Sequence, residues 1–146
     1  MAKGGPAVAV IFYDDAPGGT ARNISTGLRT IGGIGVEEIS EKNTPFGQAF
    51  DSNTPVGVQT MADNTMGGDF DTTATTGTHA VFGTPDSDPN GGTRTLTVRP
   101  LGTGSGLPQF DIETRNLGYT VLLKTGALTQ FQAKIAQAGA GVWSTQ

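Results

Sequence analysis

Gln109-Phe-Asp-Ile-Glu-Thr114, Leu117-Gly-Tyr-Thr-Val-Leu-Leu-Lys124 and Ala127-Leu-Thr-Gln-Phe-Gln-Ala-Lys-Ile-Ala-Gln-Ala138 follow one another with short breaks, and each reads as a strand. In the third, Leu128, Phe131, Ala133 and Ile135 are interleaved with polar Gln132, Lys134 and Gln137, the signature of a half-buried strand. In the first, a period of two puts Asp111 and Glu113 on one face and Ile112 on the other.

The same texture continues toward the N-terminus. Ala7-Val-Ala-Val-Ile-Phe-Tyr13 is a continuous apolar run rich in β-branched and aromatic residues, expected as a buried strand that ends in a turn at Asp14-Asp-Ala-Pro-Gly-Gly19. Residues 20–24 read as a weak strand. Residues 28–35 read as a bend whose Ile31 and Ile34 pack on the core, and residues 36–41 as a strand. The stretch 44–53 is expected as a loop with Phe46 and Phe50 as apolar anchors. Residues 56–61 and 65–70 predict a hairpin about the turn at 62–65. A short helix over 76–82 would set Ala80, Val81 and Phe82 against the core. Turn chemistry fills 84–92, a strand 93–98, a flexible loop 102–108, and a last short strand holds Val142 and Trp143. No internal repeat or linker divides the chain, so residues 1–146 are expected to be a single domain.

Composition supports a mainly β reading. The 146 residues include 23 Gly, Thr is the commonest side chain, and only 15% are charged. Thr suits a pleated surface and Gly supplies turns, whereas the recurring apolar runs argue against disorder. A net charge of −4 and nine scattered basic residues argue against specific nucleic-acid binding, which needs clustered Lys and Arg. The absence of cysteine excludes disulfides and thiolate chemistry. No signal peptide is expected, and no stretch approaches the ~20 apolar residues of a membrane span.

Candidate chemistry resolves into plainer readings. His79, the single histidine, lacks carboxylates at metal-ligand spacing and any Gly-x-Ser-x-Gly partner, so a structural or surface role is expected. Asp86-Ser-Asp-Pro-Asn-Gly91 opens like a calcium loop, but Thr97 stands where a bidentate Glu is required and Pro89 interrupts it; a turn is expected. Gly102-Thr-Gly-Ser-Gly106 lacks the Lys of a phosphate loop. Asn23-Ile-Ser25 is an isolated sequon in a chain with no secretory signal. Glu37, Glu38 and Glu41 read first as a solvated face. No catalytic, cofactor or metal residues are expected, and no enzymatic activity.

Three stretches resemble siphophage major tail tube proteins, in the short form found in phages of actinobacteria. The first is Gly19-Thr-Ala-Arg-Asn-Ile-Ser25 leading into Ile31-Gly-Gly-Ile-Gly-Val-Glu-Glu38 and Thr44-Pro-Phe-Gly47. The second is Gly67-Gly-Asp-Phe-Asp-Thr-Thr-Ala-Thr-Thr-Gly-Thr-His-Ala-Val-Phe-Gly83. The third runs from Thr93-Arg-Thr-Leu96 through Pro100-Leu-Gly-Thr-Gly-Ser-Gly-Leu-Pro108 into the closing strands. The resemblance implies a β-sandwich or half-barrel with one short flanking helix, and hexameric, stacked rings whose inner strands complete a multi-subunit barrel. It implies a channel lining that repels phosphate, for which Glu37, Glu38, Glu41, Asp111 and Glu113 are the candidates. Implied partners are further copies of the chain and the tail terminator, tape measure and distal tail proteins. Genomic DNA would be met only in passing, and no membrane. The implied location is the tail of a virion assembled in the host cytoplasm. A capsid decoration protein of a phage head is the alternative, and a small ligand-binding β-sandwich with Trp143 and Tyr119 as a platform is a third.

Overall fold

The computed structural model describes residues 9–43, 46–47, 49–50, 52–61 and 63–146. In chain order these form β1 (Val10–Asp14), β2 (Ala21–Asn23), β3 (Leu28–Thr30), β4 (Glu37–Lys42), β5 (Asn53–Thr60), β6 (Asn64–Asp69), α1 (Thr78–Phe82), β7 (Arg94–Arg99), β8 (Pro108–Leu122) and β9 (Gln130–Thr145). Seven strands make one antiparallel sheet in the order β2-β1-β7-β8-β9-β6-β3, while β4 and β5 form a separate two-stranded ribbon. Ala7 and Val8 of the expected first strand, Thr44, Pro45, Gln48 and Asp51 of the expected loop, and Ala62 of the expected turn lie outside the described residues.

The long hairpin of β8 and β9 is the spine. The breaks expected near residue 116 and after residue 138 do not occur: β8 runs 15 residues and β9 runs 16, absorbing the final short strand. The register instead shifts between Ile112 and Thr114 and between Asn116 and Gly118. Such bulges bend and twist a strand without ending it. Past them the hairpin changes neighbours. β7 pairs with β8 over Phe110–Thr114, whereas β6 pairs with β9 over Gln130–Ile135. The result is a curled half-barrel. Its outermost strands β2 and β3 are joined by residues 24–27 alone, so the end of β2 and the start of β3 lie at most about 17–18 Å apart. Ile24 within that connection is buried and donates its N–H to Ile11.

Alternation fills the concave side. Ile11, Tyr13, Leu96, Val98, Phe110, Ile112, Met66, Phe131, Ala133 and Ile135 are all buried. The helix closes this core: Phe82 stacks between Tyr13 (5.1 Å) and Phe131 (5.4 Å). Val81 is buried with it, but Ala80 is exposed, because a single helical turn presents only one stripe. Ile31 and Ile34 pack against the core as expected, although residues 28–30 form strand β3 where only a bend was expected.

The segments 56–61 and 65–70 do not form a hairpin with each other: β5 pairs with β4, and β6 with β9 and β3. Burial explains the choice, since Asn64 and Met66 of β6 are buried opposite Ile135 and Ala133, whereas every residue of β5 is exposed. Phe46 and Phe50 anchor nothing: both are fully or largely exposed, as is Leu128. Nor is the glycine loop 102–106 a free one. Gln146 holds it, its side chain donating to the Gly102 carbonyl at 2.8 Å while its main-chain carbonyl accepts from Gly106.

Candidate functional site: the acidic convex face of the sheet

Residues that alternate out of the core meet on the convex side of β7 and β8. Antiparallel pairing sets Thr95 opposite Glu113 and Thr97 opposite Asp111. Thr95 and Thr93 donate to the two carboxylate oxygens of Glu113 at 2.6 and 2.5 Å, and Thr97 donates to Asp111 at 2.6 Å. Gln109 donates to the other oxygen of Asp111 at 2.8 Å and accepts from Arg99 at 2.8 Å. The carboxylates are thereby fixed in orientation, half-buried and without a direct cationic partner among the described residues. The expected split across β8 holds: Ile112 is buried on the opposite face.

The other three candidate acids are elsewhere. Glu37, Glu38 and Glu41 lie on β4 of the ribbon, all exposed, and Glu38 accepts from the Gly57 N–H at 2.8 Å. Sequence reasoning singled out the acids but missed the threonines that orient them. The alternation of Thr93, Thr95 and Thr97 carried that signal, but their position opposite Glu113 and Asp111 depends on the β7–β8 register.

His79 sits exposed on α1, its Nδ1 3.0 Å from the Tyr119 hydroxyl oxygen and its ring against Phe70 and Tyr119. It ties the helix to β8. The calcium-loop residues are committed to the fold: Asp86 pairs with buried Arg94, and Asp88 accepts from the Asn90 N–H within a turn. Among the described residues no His, Cys, Asp and Glu cluster could hold a metal ion, and no helix is long and apolar enough to cross a membrane. A shallow cleft of about 680 Å³ lies between Gly57–Gln59 of β5 and Gln137–Ala140 of β9.

No family model and no curated protein matches the sequence. Solved structures match along the full length. The tail of an empty GTA particle, refined helically with C6 symmetry, superposes with a TM-score of 0.63 at 15% identity, over 99% of this chain and 100% of that one. The tube-terminating cap of the anti-feeding prophage superposes with a TM-score of 0.68 at 8% identity, over 100% of this chain and 93% of that one. The chain therefore has the fold of these tail and tube-cap subunits.

Proposed function

We propose that this chain is a structural, non-enzymatic subunit of a phage-type tail tube, self-assembling into stacked hexameric rings around a polar, acidic channel for DNA. The observation that carries the reading is the full-length match to a tail of C6 symmetry. The convex face of β7 and β8 supplies the matching chemistry. Asp111 and Glu113, held by Thr93, Thr95 and Thr97, present fixed negative charge that repels phosphate and keeps a passing duplex from adhering. Glu37, Glu38 and Glu41 add to the lining from the ribbon. The tube-cap match supports tail partners beyond self-association; the partners proposed are a tail terminator, tape measure and distal tail proteins. The subunit acts in the tail of a virion assembled in the host cytoplasm.

Negative-stain microscopy of the purified protein tests this reading. Rings or hollow tubes are expected; uniform trimers would overturn it in favour of a head decoration protein. Asp111→Lys with Glu113→Lys then tests the lining. Tubes should still form while genome delivery slows, and unchanged delivery would remove these two acids from the channel.

A further inference from the structure

The turn that opens like a calcium loop carries a reactive bond of another kind. Asn23, Asn43, Asn53, Asn64 and Asn116 are each followed by Ile, Thr or Leu, whereas Asn90 is followed by glycine. That neighbour matters chemically. Glycine sets no Cβ beside its amide nitrogen, so the nitrogen can swing onto the side-chain carbonyl of the residue before it. Asn90 is exposed to the water such a reaction consumes, and its side-chain amide has no hydrogen-bond partner among the described residues.

The fold holds this bond away from reaction. Pro89 takes the first corner of a turn, where its fixed φ belongs, and Asn90 takes the second. The Gly91 N–H donates to the Asp88 carbonyl at 3.1 Å, and the Asn90 N–H donates to the Asp88 carboxylate at 2.9 Å. An attacking Gly91 nitrogen must first give up the proton it donates here. Arg115 of β8 clamps the turn from outside. Its Nη1 donates to the Pro89 carbonyl at 3.2 Å and its Nη2 to the Gly91 carbonyl at 3.3 Å. One guanidinium thus grips the main chain on both sides of the Asn90–Gly91 bond. Its Nε is buried and unpartnered, so these two carbonyls are its hydrogen-bond partners among the described residues.

We propose that Asn90–Gly91 is a self-modifying site that deamidates with water as its co-reactant, and that Arg115 gates it by holding the turn shut. Once the turn opens, hydroxide takes the Gly91 amide proton and the nitrogen attacks Asn90 Cγ. The new N–C bond closes a succinimide ring as the bond from Cγ to the side-chain nitrogen breaks. That nitrogen leaves as ammonia, taking a proton from water. Water then opens the ring at either carbonyl, giving aspartate or isoaspartate, and the new acid releases its proton. In isoaspartate the main chain runs through the former side chain and gains a methylene. Arg115 can then no longer span the same two carbonyls, and the turn loses its hold on β8. The reaction needs no assembly partner, so it stands apart from the tail tube reading.

Wild-type protein held in warm, mildly alkaline buffer, folded or in urea, tests the site. The peptide containing Asn90 is followed by mass spectrometry, with isoaspartate separated from aspartate by chromatography. Conversion is expected in both states, at least about tenfold slower in the folded chain, because opening must first break the hydrogen bonds of the turn. No conversion in urea would overturn the site, and equal rates in the two states would overturn the gate. Arg115→Lys keeps the charge but cannot bridge two carbonyls, so it should speed conversion of the folded chain by at least about threefold and leave the urea rate unchanged. A wild-type rate in that folded variant would remove Arg115 from the gate. So would a faster rate matched by an equal loss of global stability in urea melts. Gly91→Ala sets a Cβ beside the attacking nitrogen and should suppress conversion even in urea; undiminished conversion would overturn the succinimide route.

Discussion

The guanidinium of Arg94 lies 2.8 Å from the carboxylate of Asp86, and both side chains are almost fully buried. Arg94 also donates to the carbonyls of Val81 and Thr84 and stands 5.8 Å from the Tyr13 ring centroid. Asp86 accepts from the Asn116 N–H as well. Sheet, helix and the 84–92 turn are therefore fastened at one point. Removing one partner leaves an uncompensated buried charge, so Asp86→Ala should cost about 3–5 kcal/mol in urea unfolding. Arg94→Lys should also be destabilising, because one ammonium cannot reach the carboxylate and both carbonyls together.

Tyr13 makes a pH-dependent contribution of calculable sign. Burial is the main cause that pushes its hydroxyl up from 10.0 to about 12, against a lowering by its hydrogen bond with Thr114. The folded state thus favours the neutral phenol. Its contribution is complete below pH 10.0, is lost as pH rises toward 12, and amounts to about 3 kcal/mol at its fullest. Unfolding followed from neutral to strongly alkaline pH should show this loss, and Tyr13→Phe should show a flatter profile.

Asp69 behaves in the opposite sense. The Arg29 guanidinium, 2.8 Å away, holds its carboxyl below the ordinary value of 3.8 by hydrogen bonding. The stabilisation is present above pH 3.8 and is lost as pH falls through the lowered folded value. Arg29→Ala should therefore lower the melting temperature slightly at neutral pH and make no difference in strong acid.

Backbone geometry supplies two further substitutions. Thr75 has φ of 64°, a left-handed conformation unfavourable to a β-branched residue, and it is exposed. Thr75→Gly should raise stability by up to about 1 kcal/mol in thermal or urea melts. Gly68 sits where β6 meets β3, and a Cβ there would run into the Gly27 carbonyl oxygen and come within 2.9 Å of the Leu28 Cα. Both are main-chain atoms, so Gly68→Ala should destabilise by at least about 2 kcal/mol in the same assay.

Period-two alternation made much of this fold legible in advance. Asp111, Ile112 and Glu113 sort to the faces their spacing requires, and Val81 and Phe82 mark a helix that does reach the core. Alternation is silent on which strand a strand pairs with. Proximity in sequence favours β5 as the partner of β6, whereas burying Asn64 and Met66 requires β9. The anchor role expected of Phe46 and Phe50 failed for a related reason: an apolar side chain reports a preference for burial, not the presence of a surface to meet it. Of the candidate lining, the acids were visible and their threonine supports were not, since those contacts exist only once β7 and β8 are in register.

The position of β9 in both halves of the sheet sets the order in which the molecule can form. It completes β8 on one side and β6 on the other, and among the described strands it comes last in sequence. In a chain emerging from the ribosome, Phe82 lacks its second stacking partner Phe131, and Met66 its neighbour Ala133, until β9 has been translated. The core then closes around a local hairpin. Until that moment β6 and β8 each keep an unpaired edge, so the order of synthesis leaves closure of the sheet to its last step.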